Sequence, residues 1–196
     1  MQVSEILQRL IESGRTVATA ESCTGGMIAS SIVDVAGASD CFNEGYVTYS
    51  NEAKMKNLGV KDGTLMVHGA VSFETAIEMA QGVRKKAKAD YGISSTGIAG
   101  PGGGSPTKPV GLVYIGCAFG DDDCIVKELR LKGNMQFCAY LPTFVVYLTI
   151  FKCIIEFFRA KSIVIFKFDI PLRREKRKLC PHTVLRITSS TIGNIC

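Results

Sequence analysis

A chain of 196 residues, 46% of them hydrophobic, is long enough to bury one ordinary core and to carry a tail besides. Its formal charge of +5 does not point to nucleic acid: residues 1–133 carry 13 Lys/Arg against 15 Asp/Glu, and residues 134–196 carry 10 against 3, so the basic excess belongs to the tail. The eight cysteines stand singly without CxxC spacing, neither His68 nor His182 lies near a paired cysteine, and Met1 to Glu5 show no signal pattern, which argues against a disulfide framework, a zinc site and export, and for a cytoplasmic enzyme body.

Val3, Ile6, Leu7, Leu10 and Ile11 recur at helical spacing before Gly14, which predicts an amphipathic first helix. Residues 16–20 form a β-prone run, followed by a polar glycine turn and a helix over 27–35 that turns Ile28, Ile32 and Val33 inward. Strand, Gly-Gly turn and helix in that order indicate an α/β domain. A second strand is expected over 45–49, then a short helix capped by Ser50 or Asn51 and carrying Glu52, Lys54 and Met55. Ser72 is a plausible cap for the strongest helix, 73–89, whose basic end (Arg84, Lys85, Lys86, Lys88) reads as a solvated face. Residues 91–96 read as a strand, 97–109 as a Gly/Pro-rich loop, and 110–119 with 124–131 as an antiparallel pair around an acidic turn. The body is thus α/β with a mixed sheet.

After Gly133 the pattern changes. Residues 137–158 are crowded with Phe, Ile, Val, Tyr and Cys but are broken by Pro142, Lys152 and Glu156, and 173–178 are almost wholly charged. A membrane span needs about 20 mostly apolar residues, so tethering through 137–158 is the lesser reading. The lack of clean periodicity fits a terminus that does not pack as a native element.

With only two histidines, hydrolytic chemistry here would rely on lysine as its base. A serine hydroxyl needs a neighbouring base, and a lysine whose pKa is lowered by burial can serve. Ser22 follows the first strand, and Thr24, Gly25 and Gly26 follow it at the mouth of a helix, where backbone N–H groups could meet developing negative charge. Lys54 and Tyr49 lie after the second strand, Tyr49 placed to relay a proton or orient the amine. Each signal alone has a plainer reading: a helix cap for the turn, a solvated lysine, a small buried residue for Cys23, a packed or capping histidine for His68. The run from Ser94 through Gly97, Gly100, Gly102 and Gly103 could turn N–H groups toward an anion, but without a following Gly-Lys-Ser/Thr or helix it is neither a P-loop nor a dinucleotide fingerprint, and composition alone slightly favours a flexible loop between strands.

Taken together, AESCTGG (20–26), GYVTYSNEAK (45–54), HGAVS (68–72), GIAGPGG (97–103) and KPVG (108–111) make residues 3–133 resemble the CinA C-terminal domain family, whose stand-alone members include nicotinamide-nucleotide amidases. The resemblance implies a three-layer α/β/α domain with a mixed sheet and hydrolysis of the carboxamide of nicotinamide mononucleotide, with Ser22 as nucleophile, Lys54 as general base and Tyr49 as supporting hydroxyl. It further implies substrate contacts from Thr24, Gly25, Gly26 and the loop of Gly97, Gly100, Gly102 and Gly103. A small-molecule pyridine mononucleotide as partner, a homodimer, no nucleic acid, no cofactor and no metal complete the expectation. Where the family continues with an arginine turn and an amphipathic last helix, this chain reads Gly133-Asn134-Met135, and residues 134–196 diverge as a frameshift would make them do. Methionine cannot replace a bidentate arginine on phosphate, which makes a catalytically impaired nucleotide-binding protein the alternative; a Cys23 nucleophile is the runner-up among enzymes.

Overall fold

The computed structural model describes residues 3–120 and 122–131, together with the backbone of residues 184–186. In chain order the elements are α1 (Val3–Glu12), β1 (Val17–Glu21), α2 (Met27–Val33), a 3-10 turn (Ala38–Asp40), β2 (Phe42–Val47), α3 (Asn51–Leu58), α4 (Asp62–His68), α5 (Phe73–Ala87), β3 (Tyr91–Gly97), β4 (Leu112–Phe119), β5 (Asp123–Arg130) and β6 (Val184–Arg186). They form one sheet in the order β2-β1-β3-β4-β5-β6. β2, β1 and β3 run parallel, β4 and β5 each reverse direction, and β6 lies parallel to β5.

Every residue of β1 is buried, as a central strand covered on both faces requires. Val17 joins Ile6, Leu7 and Leu10 of α1 and Ile28 and Ile32 of α2 in one core; Ala18 and Ala20 join Leu58, Leu65, Met79 and Val83 of the helices on the other face. Alternate β1 side chains thus feed opposite layers, because successive Cβ atoms leave a strand on opposite sides. Each fully buried Leu, Ile or Met of this kind contributes about 1.5–3 kcal/mol. The three-layer α/β/α expectation with a mixed sheet is what the structure has.

Glycine lets α5 come down onto the sheet and α3 onto α5. A Cβ at Gly116 of β4 would stand 2.8 Å from the Ala76 carbonyl, and one at Gly82 would stand 1.9 Å from the Leu58 carbonyl. Ser94 strengthens the first contact by donating to the Ala76 carbonyl at 2.6 Å. The caps expected at Ser50 and Ser72 form, accepting from the amides of Ala53 and Thr75.

Several boundaries differ from expectation. The second strand begins at Phe42 and stops at Val47, so Tyr49 lies beyond it. As an edge strand alternating half-buried and exposed residues, it shows no apolar run for Phe42, Asn43 and Glu44 to advertise. The α4 helix was not expected; only Leu65 of its seven residues is buried, which leaves no amphipathic stripe. The fourth strand begins at Leu112 because Gly111 has a φ of +90°, outside the strand region. Met135, the apolar run 137–158 and the charged run 173–178 lie outside the described residues. Among the described residues no helix is long and apolar enough to cross a membrane.

Candidate active site

The carboxyl ends of the parallel strands β1, β2 and β3 open on the same side of the sheet, where α/β proteins place their ligands. Ser22 leaves β1, Thr48 and Tyr49 leave β2, and the 98–111 loop leaves β3. The Ser22 amide donates to the Ser95 carbonyl of β3 at 3.0 Å, and the Thr48 amide donates to the Glu21 carbonyl at 2.8 Å, so each segment is fastened before it departs.

Lys54, on the second turn of α3, is 1% exposed and extends back beneath this end of the sheet. Its Nζ donates to the Thr48 carbonyl at 2.9 Å, to the Tyr49 carbonyl at 3.1 Å and to Ser22 Oγ at 3.1 Å. An ammonium saturates all three acceptors. A neutral amine keeps two hydrogens for the two carbonyls and turns its lone pair toward the Ser22 hydroxyl, the arrangement a general base needs. Burial pushes the Lys54 pKa below the usual lysine value, partly opposed by the negative charges that Cys23 and Glu52 can bring. Ser22 is itself 8% exposed.

The turn after Ser22 is held from beneath. Thr24, 2% exposed, donates its hydroxyl to Glu21 at 2.7 Å and lies 2.6 Å from the Ser95 hydroxyl. Glu21 accepts from the amides of Gly26, Ile28 and Ala29 at 2.8–3.0 Å. Met27 N–H bonds the Thr24 carbonyl, and Gly25 N–H bonds the Ser22 carbonyl. The amides opening α2 are thus occupied within the fold, by an internal carboxylate and the turn's own carbonyls. Gly25 and Gly26 both have positive φ, which makes them conformational members of the turn.

Tyr49 enters differently from its expected part. Its side chain is 77% exposed, and what reaches Lys54 is its carbonyl oxygen rather than its hydroxyl. The 98–111 loop is closed by Gly111 N–H to the Ile98 carbonyl and by Lys108 N–H to the Ser105 hydroxyl, and Lys108 Nζ pins it to the His68 carbonyl at 2.6 Å. His68 closes α4 and faces Glu74 at 3.5 Å, while Gly69 and Ser72 tie the start of α5. At Gly97 a Cβ would meet the Leu112 carbonyl at 2.7 Å, and at Gly100 it would meet Val110 at 2.7 Å; Gly103 has a φ of +84°. Gly102 alone of these four has neither a neighbour nor a positive φ to account for it.

Glu21 is the site residue that sequence reasoning missed. Its signal was present, an acidic residue closing a buried strand just before the Ser-Cys-Thr-Gly-Gly turn. Among the described residues no group of three or more His, Cys, Asp or Glu stands ready to hold a metal ion.

The profile of the CinA C-terminal domain matches residues 2–140, most of the chain. The chain belongs to the CinA C-terminal domain family. It is 61% identical over 134 residues to a putative competence-damage inducible protein of Caldanaerobacter subterraneus subsp. tengcongensis, covering 68% of this chain and 32% of that protein. It is 57% identical over 133 residues to a CinA-like protein of Kosmotoga olearia, covering 67% and 32%. The chain therefore spans about a third of the length of the curated relatives it matches. Among solved structures, the competence/damage inducible protein CihA of Agrobacterium tumefaciens superposes with a TM-score of 0.70 at 38% identity, covering 78% of this chain and 94% of that one. The competence damage-inducible protein A of Klebsiella pneumoniae superposes with a TM-score of 0.74 at 31% identity, covering 79% and 98%. CinA relatives thus share both the sheet and the layers that place Ser22 and Lys54 together here.

Proposed function

We propose that this chain is a Ser/Lys amidohydrolase that hydrolyses the carboxamide of nicotinamide mononucleotide to nicotinate mononucleotide and ammonia, in the cytoplasm and as a homodimer. The observation that carries the reading is the buried Lys54 Nζ 3.1 Å from Ser22 Oγ, with two backbone carbonyls to take its hydrogens. The geometry supports acyl transfer; the pyridine mononucleotide is the substrate that the family resemblance brings.

In this reading Lys54 takes the Ser22 hydroxyl proton as Oγ attacks the carboxamide carbon. The tetrahedral adduct then collapses, the C–N bond breaks, and Lys54 returns the proton to the departing ammonia. Water, deprotonated by the same amine, cleaves the acyl-serine ester and restores Ser22. The Thr48 and Tyr49 carbonyls hold the amine in place throughout, and the exposed Tyr49 phenol is left for the substrate side. In this reading the loop bearing Gly102 contacts the nucleotide, the part that the family resemblance gives it.

Ammonia release from nicotinamide mononucleotide by the purified protein tests the reading, with Ser22→Ala as its control. Release that survives Ser22→Ala undiminished would sink the mechanism. Cys23→Ala decides the Cys23 alternative: loss of ammonia release in that variant as deep as in Ser22→Ala would transfer the nucleophile to sulfur.

A further inference from the structure

We propose that Glu21 is a positioning residue for the Ser22 nucleophile, acting as an internal anion that locks the turn on which the serine stands. The inference rests on reading Ser22 as the nucleophile. Glu21 is 1% exposed, and no lysine or arginine pairs with it among the described residues. Four donors converge on its two oxygens instead: the Thr24 hydroxyl and the amides of Gly26 and Ile28 on one, the Ala29 amide on the other. All four belong to the eight residues that follow it.

A carboxylate accepts only, so donors on every side suit it. Because Thr24 gives its proton to Glu21, the 2.6 Å contact with Ser95 has Ser95 donating to Thr24. The lock therefore runs from α2 through Glu21 and Thr24 to β3, and β3 also holds the Ser22 amide through the Ser95 carbonyl. Ser22 is thus fixed from β3 and, through Glu21 and Thr24, from the helix it precedes. The backbone of the same residue reaches the base: the Glu21 carbonyl accepts from Thr48 N–H, and the Thr48 carbonyl accepts from Lys54 Nζ. Side chain and main chain of one residue accordingly fasten the two reacting partners to a common point.

Amide allocation follows from the same lock. From Gly25 to Ser30 every N–H has an internal acceptor, with Glu21 taking three of the six. Without that carboxylate the opening of α2 would be a cluster of buried donors free to attract an anionic part of the substrate away from Ser22. Filling it from within keeps the substrate at the serine.

The test is the rate at which a fluorophosphonate probe phosphonylates Ser22, because it reads the nucleophile whether or not nicotinamide mononucleotide is the substrate. Glu21→Gln keeps the shape but places an amide donor among donors. In the folded variant the plateau of the labelling rate against pH is expected to fall about 100-fold, the effect of an ångström-scale misplacement, with its midpoint unchanged because Lys54 keeps its surroundings. A purely structural role would lower the melting temperature and leave that plateau alone, as the core variant Met79→Ala should. A plateau within about twofold of the parent in folded Glu21→Gln would overturn the proposal, as would a shifted midpoint with an unchanged plateau. Should Glu21→Gln fail to fold, Thr24→Val breaks the link to β3 while leaving the three amide bonds, and there a tenfold or greater loss is expected, an unchanged rate being the contrary result. A parent labelled at Ser22 that releases no ammonia refutes the proposed substrate alone, whereas a parent that resists labelling removes the nucleophile and the positioning role together.

Discussion

The turn after β1 and the loop after β3 lie at the same end of the sheet, and they are built in opposite ways. Residues 22–26 are tied to a buried carboxylate, to two strands and to a helix, and Ser22 is almost sealed from solvent. Residues 101–107 are exposed, and their loop is held by its own turn bonds and by one lysine pinned to the His68 carbonyl. Chemistry needs atoms placed to a fraction of an ångström, whereas admitting a substrate needs a wall that can yield. The contrast predicts that substitutions in the turn act on kcat and those in the loop act on KM.

The sharpest break in that contrast is at the proposed pair of Ser22 and Lys54. Ser22→Ala and Lys54→Ala are each expected to lower kcat for ammonia release at least about a thousand-fold, and the double variant no further, because the two groups act as one unit. Stopped assays on the three proteins measure this directly, and additive losses would mean that serine and lysine work in separate steps.

The pH dependence comes next. Burial lowers the Lys54 pKa in the folded chain, so the catalytically useful neutral amine forms at lower pH than for a free lysine at about 10.4. The rate should climb about tenfold per pH unit below the Lys54 midpoint and level off above it, with the midpoint below that of a free lysine. The same shift has a sign for stability. Between the folded and the unfolded pKa the unfolded chain binds more protons, so stability rises with pH across that window and the lysine destabilises the fold below it. Lys54→Met should accordingly abolish turnover while stabilising the fold at neutral pH by about 1 kcal/mol, read as a raised melting temperature. A lowered melting temperature would show that the three acceptors around Nζ outweigh its desolvation.

Smaller effects separate the glycines of the loop. Gly100→Ala forces a side chain into a φ of +91° and against Val110, and should lose about 1–2 kcal/mol of stability. Gly102→Ala meets nothing within the protein and should leave the melting temperature unchanged while raising KM, if the bound substrate lies there. Equal KM values for Gly102→Ala and the parent would take the loop out of the substrate wall. The least effect is expected at Cys23, next to Ser22 in the chain. Cys23→Ala should alter kcat by less than about threefold, a rate comparison that also disposes of a thiol mechanism.

Much of the fold could be read directly. The helical spacing of Val3, Ile6, Leu7 and Leu10, the β-prone run before Glu21, the Ser72 cap and the antiparallel pair around the acidic turn each carry their signal within a dozen residues, where periodicity and capping chemistry operate. The edge strand β2 and the helix α4 were harder because their burial is partial, and partial burial leaves a weak pattern. The glycines after β3 looked alike in the sequence, yet Gly97 is demanded by β4 packing, Gly103 by its dihedral angle, and Gly102 by neither.

Lys54 shows the division most plainly. The sequence by itself determined that a serine turn, a lysine-bearing helix and a glycine loop each follow a strand, because local patterning sets the elements; the tertiary structure decided that these strands run parallel and open their carboxyl ends together. The sequence could not determine that the lysine is buried: on a polar helix of low amphipathicity a lysine ordinarily faces water. That was decided by the chain folding across a separation of 32 positions so that the ends of β1 and β2 roof over the second turn of α3. The role of Glu21 was decided the same way. Adjacent to Ser22 in the chain, it becomes the anchor of the site only when α2 turns three amides onto it, since a buried carboxylate is stable only where donors from the tertiary structure surround it.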